Sequence, residues 1–135
     1  MNQIIFEVPG KPHGKARART FYNAATRKMK SITPDQTANY ENLIKILFLS
    51  KRPVGFSKTE NPVRVIIEAY FIKAKSNKMP LPMLKPDADN ICKVVLDSLN
   101  GIAYKDDSQV IDARISKYWG TEEKLSIRLE YKDVS

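Results

Sequence analysis

Apolar residues recur at every second position in three segments of this chain. The alternation runs from Gln3 to Val8, from Val63 to Phe71 and from Lys124 to Tyr131. A period of two residues is typical of β-strands, because successive side chains point to opposite faces of a sheet. The second face of residues 63–71 is also partly apolar, so we expect this strand to lie in the interior of its sheet.

Two other segments repeat their apolar residues with the spacing of a helix. Thr33-Pro34-Asp35-Gln36 has the composition of a helix start, with a cap, a first-turn proline and a capping box. The apolar face of the helix that follows, which should run to about residue 50, consists of Tyr40, Leu43, Ile44, Leu47 and Phe48. A second helix is predicted over roughly residues 88–100, and Asn100-Gly101 should end it. Its core-facing residues are Ile91, Val94, Val95 and Leu99.

The end of the chain predicts two strands with a turn at Gly120. The first strand carries Ile111, Ala113, Ile115 and Trp119 on one face. Because the connection is short, we expect the two strands to form an antiparallel hairpin. The predicted order is β-α-β-α-β-β, which indicates an α/β (α+β) fold. No repeat or domain boundary is visible, so residues 1–135 are interpreted as a single domain.

The composition excludes several kinds of protein. The chain contains one cysteine, Cys92, and one histidine, His13. A disulfide within the chain is therefore excluded, and a zinc site made of cysteines or histidines is not expected. The sequence has no apolar run long enough to cross a membrane and no signal-peptide pattern. These features predict a protein of the reducing cytoplasm.

The net charge of +8 is concentrated in the first part of the chain. Residues 1–33 hold seven Lys and Arg against one acid, whereas residues 87–135 hold seven against ten. A basic surface attracts a phosphate backbone without reading its sequence. We expect residues 11–33 to form a basic loop that contacts DNA, although a merely solvated loop would have the same composition. The cations proposed to contact DNA are Lys11, Lys15, Arg17, Arg19, Lys28 and Lys30.

Four aspartates lie at the two ends of the second predicted helix, within residues 85–110. Asp87 and Asp89 stand at its start, and Asp106 and Asp107 precede the next strand. Each pair has an ordinary structural explanation, since Asp caps helices and favours turns. However, oxygen-rich clusters also suit Mg²⁺ or Mn²⁺. A helix of about 12 residues spans roughly 18 Å, and the extended return after it allows the two pairs to meet.

One face of the same helix carries Asp89, Lys93 and Asp97 at a spacing of four residues. The three side chains could form a solvated salt-bridge ladder, which we favour for Asp97. Alternatively, Lys93 could stabilise a phosphate beside a metal-binding carboxylate.

The segment Lys85-Pro86-Asp87-Ala88-Asp89-Asn90, followed by Lys93 and by Asp106-Asp107-Ser108-Gln109-Val110, resembles the RusA-like Holliday junction resolvases. These are small endonucleases of bacteria and their phages. The upstream segment Gly14-Lys15-Ala16-Arg17-Ala18-Arg19 is similar to one branch of that family, and the resemblance covers nearly the whole chain.

The resemblance implies a homodimeric α/β nuclease with a mixed sheet of about four strands and two main helices. It implies Mg²⁺ binding by Asp87, Asp89 and Asp107, with Mn²⁺ as a substitute and Lys93 as a further catalytic residue. The implied reaction is paired, symmetric nicking of a four-way DNA junction in recombination and repair. The implied setting is the nucleoid, with a bacterial or a phage gene equally compatible. Two alternatives remain: a metal-dependent nuclease for another branched or duplex DNA, and a non-catalytic DNA-binding module.

Overall fold

The computed structural model describes residues 1–16, 19–32 and 35–132, which form one α+β domain. The strands and helices are β1 Asn2–Pro9, β2 Arg19–Asn23, β3 Lys28–Ile32, α1 Asp35–Lys51, β4 Val63–Phe71, α2 Ala88–Leu99, β5 Val110–Trp119 and β6 Lys124–Tyr131. A short 3₁₀ turn, Asp107–Gln109, precedes β5. The predicted fold class is confirmed. The proposed cap of α1, Thr33-Pro34, lies outside the described residues.

The main sheet has four strands in the order β1-β6-β4-β5. β4 and β5 are parallel, while β6 runs antiparallel to both β1 and β4. The predicted hairpin between the last two strands is therefore wrong, because β4 lies between them. The connection crosses the end of β4, where the N–H of Gly120 donates to the carbonyl of Phe71 at 2.8 Å. A β-α-β unit favours parallel neighbours, and β5 accordingly pairs with β4.

A second, two-stranded sheet corrects the prediction of a loop over residues 11–33. β2 and β3 form an antiparallel hairpin, with Arg19 opposite Ile32 and Asn23 opposite Lys28. The side chain of Asn23 accepts the backbone N–H of Ala25 in the turn at 3.0 Å. Alternation gives a weak signal here because apolar residues do not recur at every second position of the two strands. Tyr22 and Met29, which face each other, are 58% and 64% exposed.

The core lies between the two helices and one face of the main sheet. α1 contributes Tyr40, Ile44 and Phe48, and α2 contributes the four residues predicted for it. Every second residue of β4 is fully buried, and the residues between them are half-buried. This pattern confirms that β4 is an interior strand with a neighbour on each side.

The predicted apolar face of β5 is only partly correct. Val63 pairs with Val110 and Arg64 with Asp112, so Ile111 is an extra residue in the pairing. Ile111 is consequently 70% exposed, and Ala113 is exposed as well. Beyond the bulge, Ile115 and Trp119 pack against the core as predicted.

Candidate active site

One cleft brings together the two ends of the acidic segment. Its charged lining consists of Asp89, Lys93 and Asp97 from α2 and Asp107 from the turn before β5. Its apolar lining comes from Cys92, Leu96 and Ile115. The volume of the cleft is about 420 Å³. Acidic residues and a lysine thus line one space that is large enough for a phosphate group.

Asp106 and Asp107 have different positions in the turn before β5. The carboxylate of Asp106 accepts the N–H of Ser108 at 3.1 Å, and the side chain of Gln109 accepts the N–H of Asp106 at 2.9 Å. Hydrogen bonds from Ser108 lower the pKa of Asp106. Asp106 therefore caps the turn, as its turn-forming interpretation predicted, and Asp107 is the member of the pair that lines the cleft.

Partly buried hydrogen bonds from two residues hold this turn against the rest of the domain. The side-chain N–H of Gln109 donates to the carbonyls of Thr59 and Asn61 at 2.9 and 3.0 Å. The hydroxyl of Tyr104, which is fully buried, donates to the carbonyl of Leu96 at 2.6 Å. Burial, together with the negative charges of nearby carboxylates, raises the pKa of Tyr104. The position of Asp107 is thus set by contacts on both sides of it.

Asp87 lies at the N-cap position of α2 but outside the Asp89–Asp107 cleft. Its side chain makes no capping hydrogen bond and instead pairs with the ammonium of Lys85 at 3.2 Å. It lines a neighbouring cleft together with Lys11, His13 and Lys85. Within residues 1–16, 19–32 and 35–132, no three His, Cys, Asp or Glu side chains lie close enough to hold a metal ion. Metal binding by Asp87, Asp89 and Asp107 together stays a prediction.

Lys117 is a residue of the site that the sequence did not reveal. It occupies the inward-facing register of β5 between Ile115 and Trp119. Its ammonium lies 5.7 Å from the centre of the Phe71 ring and donates to the carbonyls of Leu84 and Pro86. Lys117 therefore anchors the segment that leads into Asp87. The sequence did contain one signal for this residue, a lysine between apolar residues on one face of the predicted strand.

Lys15, predicted to contact DNA, is engaged with carboxylates of the protein. Its ammonium lies 3.1 Å from Glu41 and 3.3 Å from Asp97. Burial acts to lower the pKa of Lys15, but the hydrogen bonds to these two carboxylates outweigh burial and raise it. Asp97 also pairs with Lys93 at 3.6 Å, as the salt-bridge interpretation predicted. The pairing with Glu41, 26 residues away along the chain, had no sequence signal.

The segment around Lys15 packs closely on the first turn of α2. The N–H of Lys15 donates to the carbonyl of Asn90 at 2.9 Å. A Cβ added at Gly14 would lie only 2.8 Å from Cβ of Asn90 and 3.0 Å from Cβ of Pro86. The position therefore requires glycine because of this close approach. His13 continues the contact, with its ring against Tyr40 and its Nδ1 3.3 Å from the side chain of Gln36.

The remaining predicted DNA contacts lie near or in the hairpin. Lys11 and Lys28 are exposed. Arg19 and Lys30 belong to β2 and β3, but their side chains are outside the description, and Arg17 is outside the described residues. DNA binding by these residues stays a prediction.

Of the helices in the described ranges, none is long and apolar enough to span a membrane.

Trp119 and Cys92 both pack against apolar parts of the domain. Trp119 packs against the core, and its ring N–H donates to the carbonyl of Met79 at 3.0 Å, in line with the packing interpretation. Cys92 is half-buried in α2 at the apolar wall of the cleft, and burial raises the pKa of its thiol.

The cleft combines carboxylates and a lysine on a small basic α+β domain, and this combination is compatible with phosphodiester chemistry on DNA. The family model described as Endodeoxyribonuclease RusA matches residues 9–130, so the chain belongs to the RusA endodeoxyribonuclease family. A curated relative, described as "Uncharacterized protein YqaN" from Bacillus subtilis (strain 168), is 28% identical over 141 residues. The match covers 96% of this chain and 96% of the relative.

Proposed function

We propose that this protein is a Mg²⁺-dependent endonuclease that resolves four-way DNA junctions by paired, symmetric nicks. The observation that carries the proposal is the shared cleft of Asp89, Lys93 and Asp107. Family membership supports DNA as the substrate. Such a reaction would take place on branched DNA at the nucleoid, or on phage DNA in the cytoplasm.

The donor set of the site fits a hard divalent cation. Asp89 and Asp107 line the same space from two different elements. Carboxylate oxygens are the preferred ligands of Mg²⁺ and Mn²⁺. Asp87 is the third proposed ligand. Its pair with Lys85 is exposed at 85% for the lysine and 50% for the aspartate. Exposed ion pairs contribute about 0–1 kcal/mol, so Asp87 can exchange this partner at little cost.

The lysine of the cleft has a separate role. When bound, the cation supplies Lewis-acid activation of the phosphate and of a water nucleophile. Lys93, one helical turn from Asp89, would place its ammonium against the negative charge that develops on the scissile phosphate. Its side chain is 63% exposed, which leaves it accessible to a DNA strand. The exposed cations Lys11 and Lys28 would bind flanking phosphates.

Paired nicks on opposite strands of a junction require two cleavage sites. We infer that a homodimer supplies them, with one cleft from each protomer. A two-fold symmetric dimer matches the two-fold symmetry of a four-way junction.

The proposal is tested by incubating a labelled four-way junction, a matched duplex and a flap with Mg²⁺, Mn²⁺ or chelator. We expect symmetric nicks in the junction with either metal and none with chelator. Equal cutting of duplex or flap would favour the alternative nuclease substrate. Binding without any cleavage would favour a non-catalytic DNA-binding module.

Asp89→Asn is the matching variant. We expect its nicking rate to fall by more than about 100-fold, since even indirect partners of a metal contribute 10–100-fold, while junction binding survives. Asp112→Asn is the control, because Asp112 pairs with Arg64 at 2.9 Å and is not part of the cleft lining. A normal rate for Asp89→Asn would remove Asp89 from the site.

A further inference from the structure

The ammonium of Lys15 is held inside the domain by groups from both helices. Glu41 of α1 and Asp97 of α2 each lie within 3.3 Å of it. The exposed fractions of the three side chains are low, at 22% for Lys15, 15% for Glu41 and 25% for Asp97. The backbone of Lys15 is also fixed, through its hydrogen bond to Asn90. Lys15 is therefore oriented toward the interface of the helices.

The same carboxylate connects Lys15 to the cleft. Asp97 lines the cleft and lies between two ammonium groups, with Lys15 at 3.3 Å on one side and Lys93 at 3.6 Å on the other. Glu41, Lys15, Asp97 and Lys93 thus form a continuous row of alternating charges from α1 to the cleft. Lys93 is the exposed end of this row, and its long side chain has many rotamers of its own.

We propose that Lys15 is a positioning residue for Lys93 and not a DNA contact: together with Glu41 it fixes the Asp97 carboxylate, which orients the Lys93 ammonium in the cleft. The inference rests on the proposed function of Lys93. A phosphate contact would require Lys15 to leave two partly buried carboxylates, so that Asp97 would keep only Lys93 and Glu41 would lose the ion pair that it makes with Lys15. A positioning role uses the contacts as they stand.

The two roles predict opposite results for Lys15→Met, which keeps most of the length of the side chain and removes its charge. A positioning residue affects the reaction after binding, so the rate of nicking at saturating enzyme should fall about tenfold or more. The affinity for the junction, measured in chelator, and its dependence on salt should be unchanged. A phosphate contact would instead weaken binding and reduce the salt slope by about 0.9. Lys28→Met, in the exposed hairpin, provides the reference for such a change in slope.

Glu41→Gln tests the row from its other end without removing a cation. We expect the same loss of rate with an unchanged salt slope. Glu7→Gln is the matched control, because Glu7 pairs with Lys124 at 3.0 Å on strands β1 and β6, away from the cleft. Its rate should equal that of the wild type. Thermal unfolding of each variant identifies any loss of rate that comes from loss of the fold, and the rates are compared well below the lowest midpoint.

The possible outcomes separate this inference from the proposed function. A wild type that does not nick any junction would overturn the proposed function. If the wild type nicks the junction and Lys15→Met and Glu41→Gln nick it at the wild-type rate, only the positioning role is overturned. A reduced salt slope for Lys15→Met would also overturn it, in favour of a DNA contact. A reduced rate in both variants at constant affinity and slope supports it.

Discussion

The hydroxyl of Tyr104 donates a hydrogen bond of 2.6 Å to the backbone carbonyl of Leu96. Leu96 lies in the last turn of α2, where the final four carbonyls of a helix have no partner within the helix. The bond therefore satisfies a helix-end carbonyl and returns the chain toward α2 just before Asp107. A contact for helix stability is at the same time a contact for the geometry of the cleft.

Tyr104→Phe should lower the free energy of unfolding by about 1–2 kcal/mol, because it leaves the partly buried carbonyl of Leu96 without this donor. Chemical denaturation at neutral pH measures this loss. Tyr22→Phe is the control, since Tyr22 is 58% exposed on the hairpin and should change stability little. Equal effects for the two variants would show that the Tyr104 hydroxyl contributes nothing specific.

The same residue should contribute to alkaline unfolding. Burial raises the pKa of Tyr104 above its ordinary value near 10, so the folded state keeps the proton longer than the unfolded state. This contribution to stability is fully present below pH 10 and is lost as the pH rises from 10 toward the folded pKa. Tyr104→Phe should therefore reduce the fall of stability above pH 10, as measured by denaturation at a series of pH values. An identical fall in both proteins would contradict the assignment.

The adjacent carboxylates should differ sharply in their effect on nicking. Asp107→Asn removes a charge from the cleft and should reduce the rate by more than about 100-fold. Asp106→Asn keeps a side-chain oxygen for the N–H of Ser108, and Asn caps as well as Asp, so its rate should fall by less than about tenfold. Single-turnover cleavage of a junction distinguishes them. If Asp106→Asn lost more of the nicking rate than Asp107→Asn, Asp106 would be assigned the position in the cleft.

Gly14→Ala should disturb the first turn of α2. The added Cβ would lie 2.8 Å from Cβ of Asn90, an atom fixed to the helix backbone, so the helix start or the segment must move. We expect a stability loss of about 1–3 kcal/mol, typical of overpacking, and a slower nicking rate. Gly120→Ala is the comparison, because its contacts on Tyr70 lie away from the cleft and should affect stability alone. Wild-type behaviour of Gly14→Ala would mean that the segment adjusts freely.

Phosphate binding by exposed lysines should be visible in the salt dependence of junction affinity. Lys11→Gln combined with Lys28→Gln should reduce the slope of log K against log salt by up to about 1.8. Lys51 lies in the last turn of α1, whereas Gln36, which contacts His13, lies in the first turn. Lys51→Gln should therefore leave the slope unchanged. Filter binding or fluorescence anisotropy in chelator supplies the measurement. An unchanged slope for the double variant would refute their contact with DNA.

Local patterns predicted the helices and β4 well because each of these elements buries one continuous apolar face. The hairpin β2–β3 escaped prediction because Tyr22 and Met29, which pair across it, are both exposed, so this pair gives no alternation of buried and exposed positions. The pairing of β5 also depends on more than local pattern. Gly120 turns the chain, but the turn passes over Phe71 instead of closing a hairpin.

The approach of the acidic segments was predictable in part. Spacing indicated that Asp89 and Asp107 could meet, and they share a cleft. The partners that set their geometry were not predictable, because Lys15 meets Glu41, and Lys117 meets Leu84, only after the helices pack on the sheet. Contacts between residues that are distant in the sequence leave no periodic pattern in it.

Lys117 holds the carbonyls of Leu84 and Pro86, which are the last part of the long connection between β4 and α2. A connection fixed at its end can vary upstream, since added length in a surface loop costs little free energy. Residues 73–78 lie upstream of Met79, whose carbonyl accepts the ring N–H of Trp119, and they can therefore be lengthened, shortened or replaced without moving Asp87. This arrangement confines tolerated insertions to a stretch of surface loop that two fixed contacts separate from the start of α2.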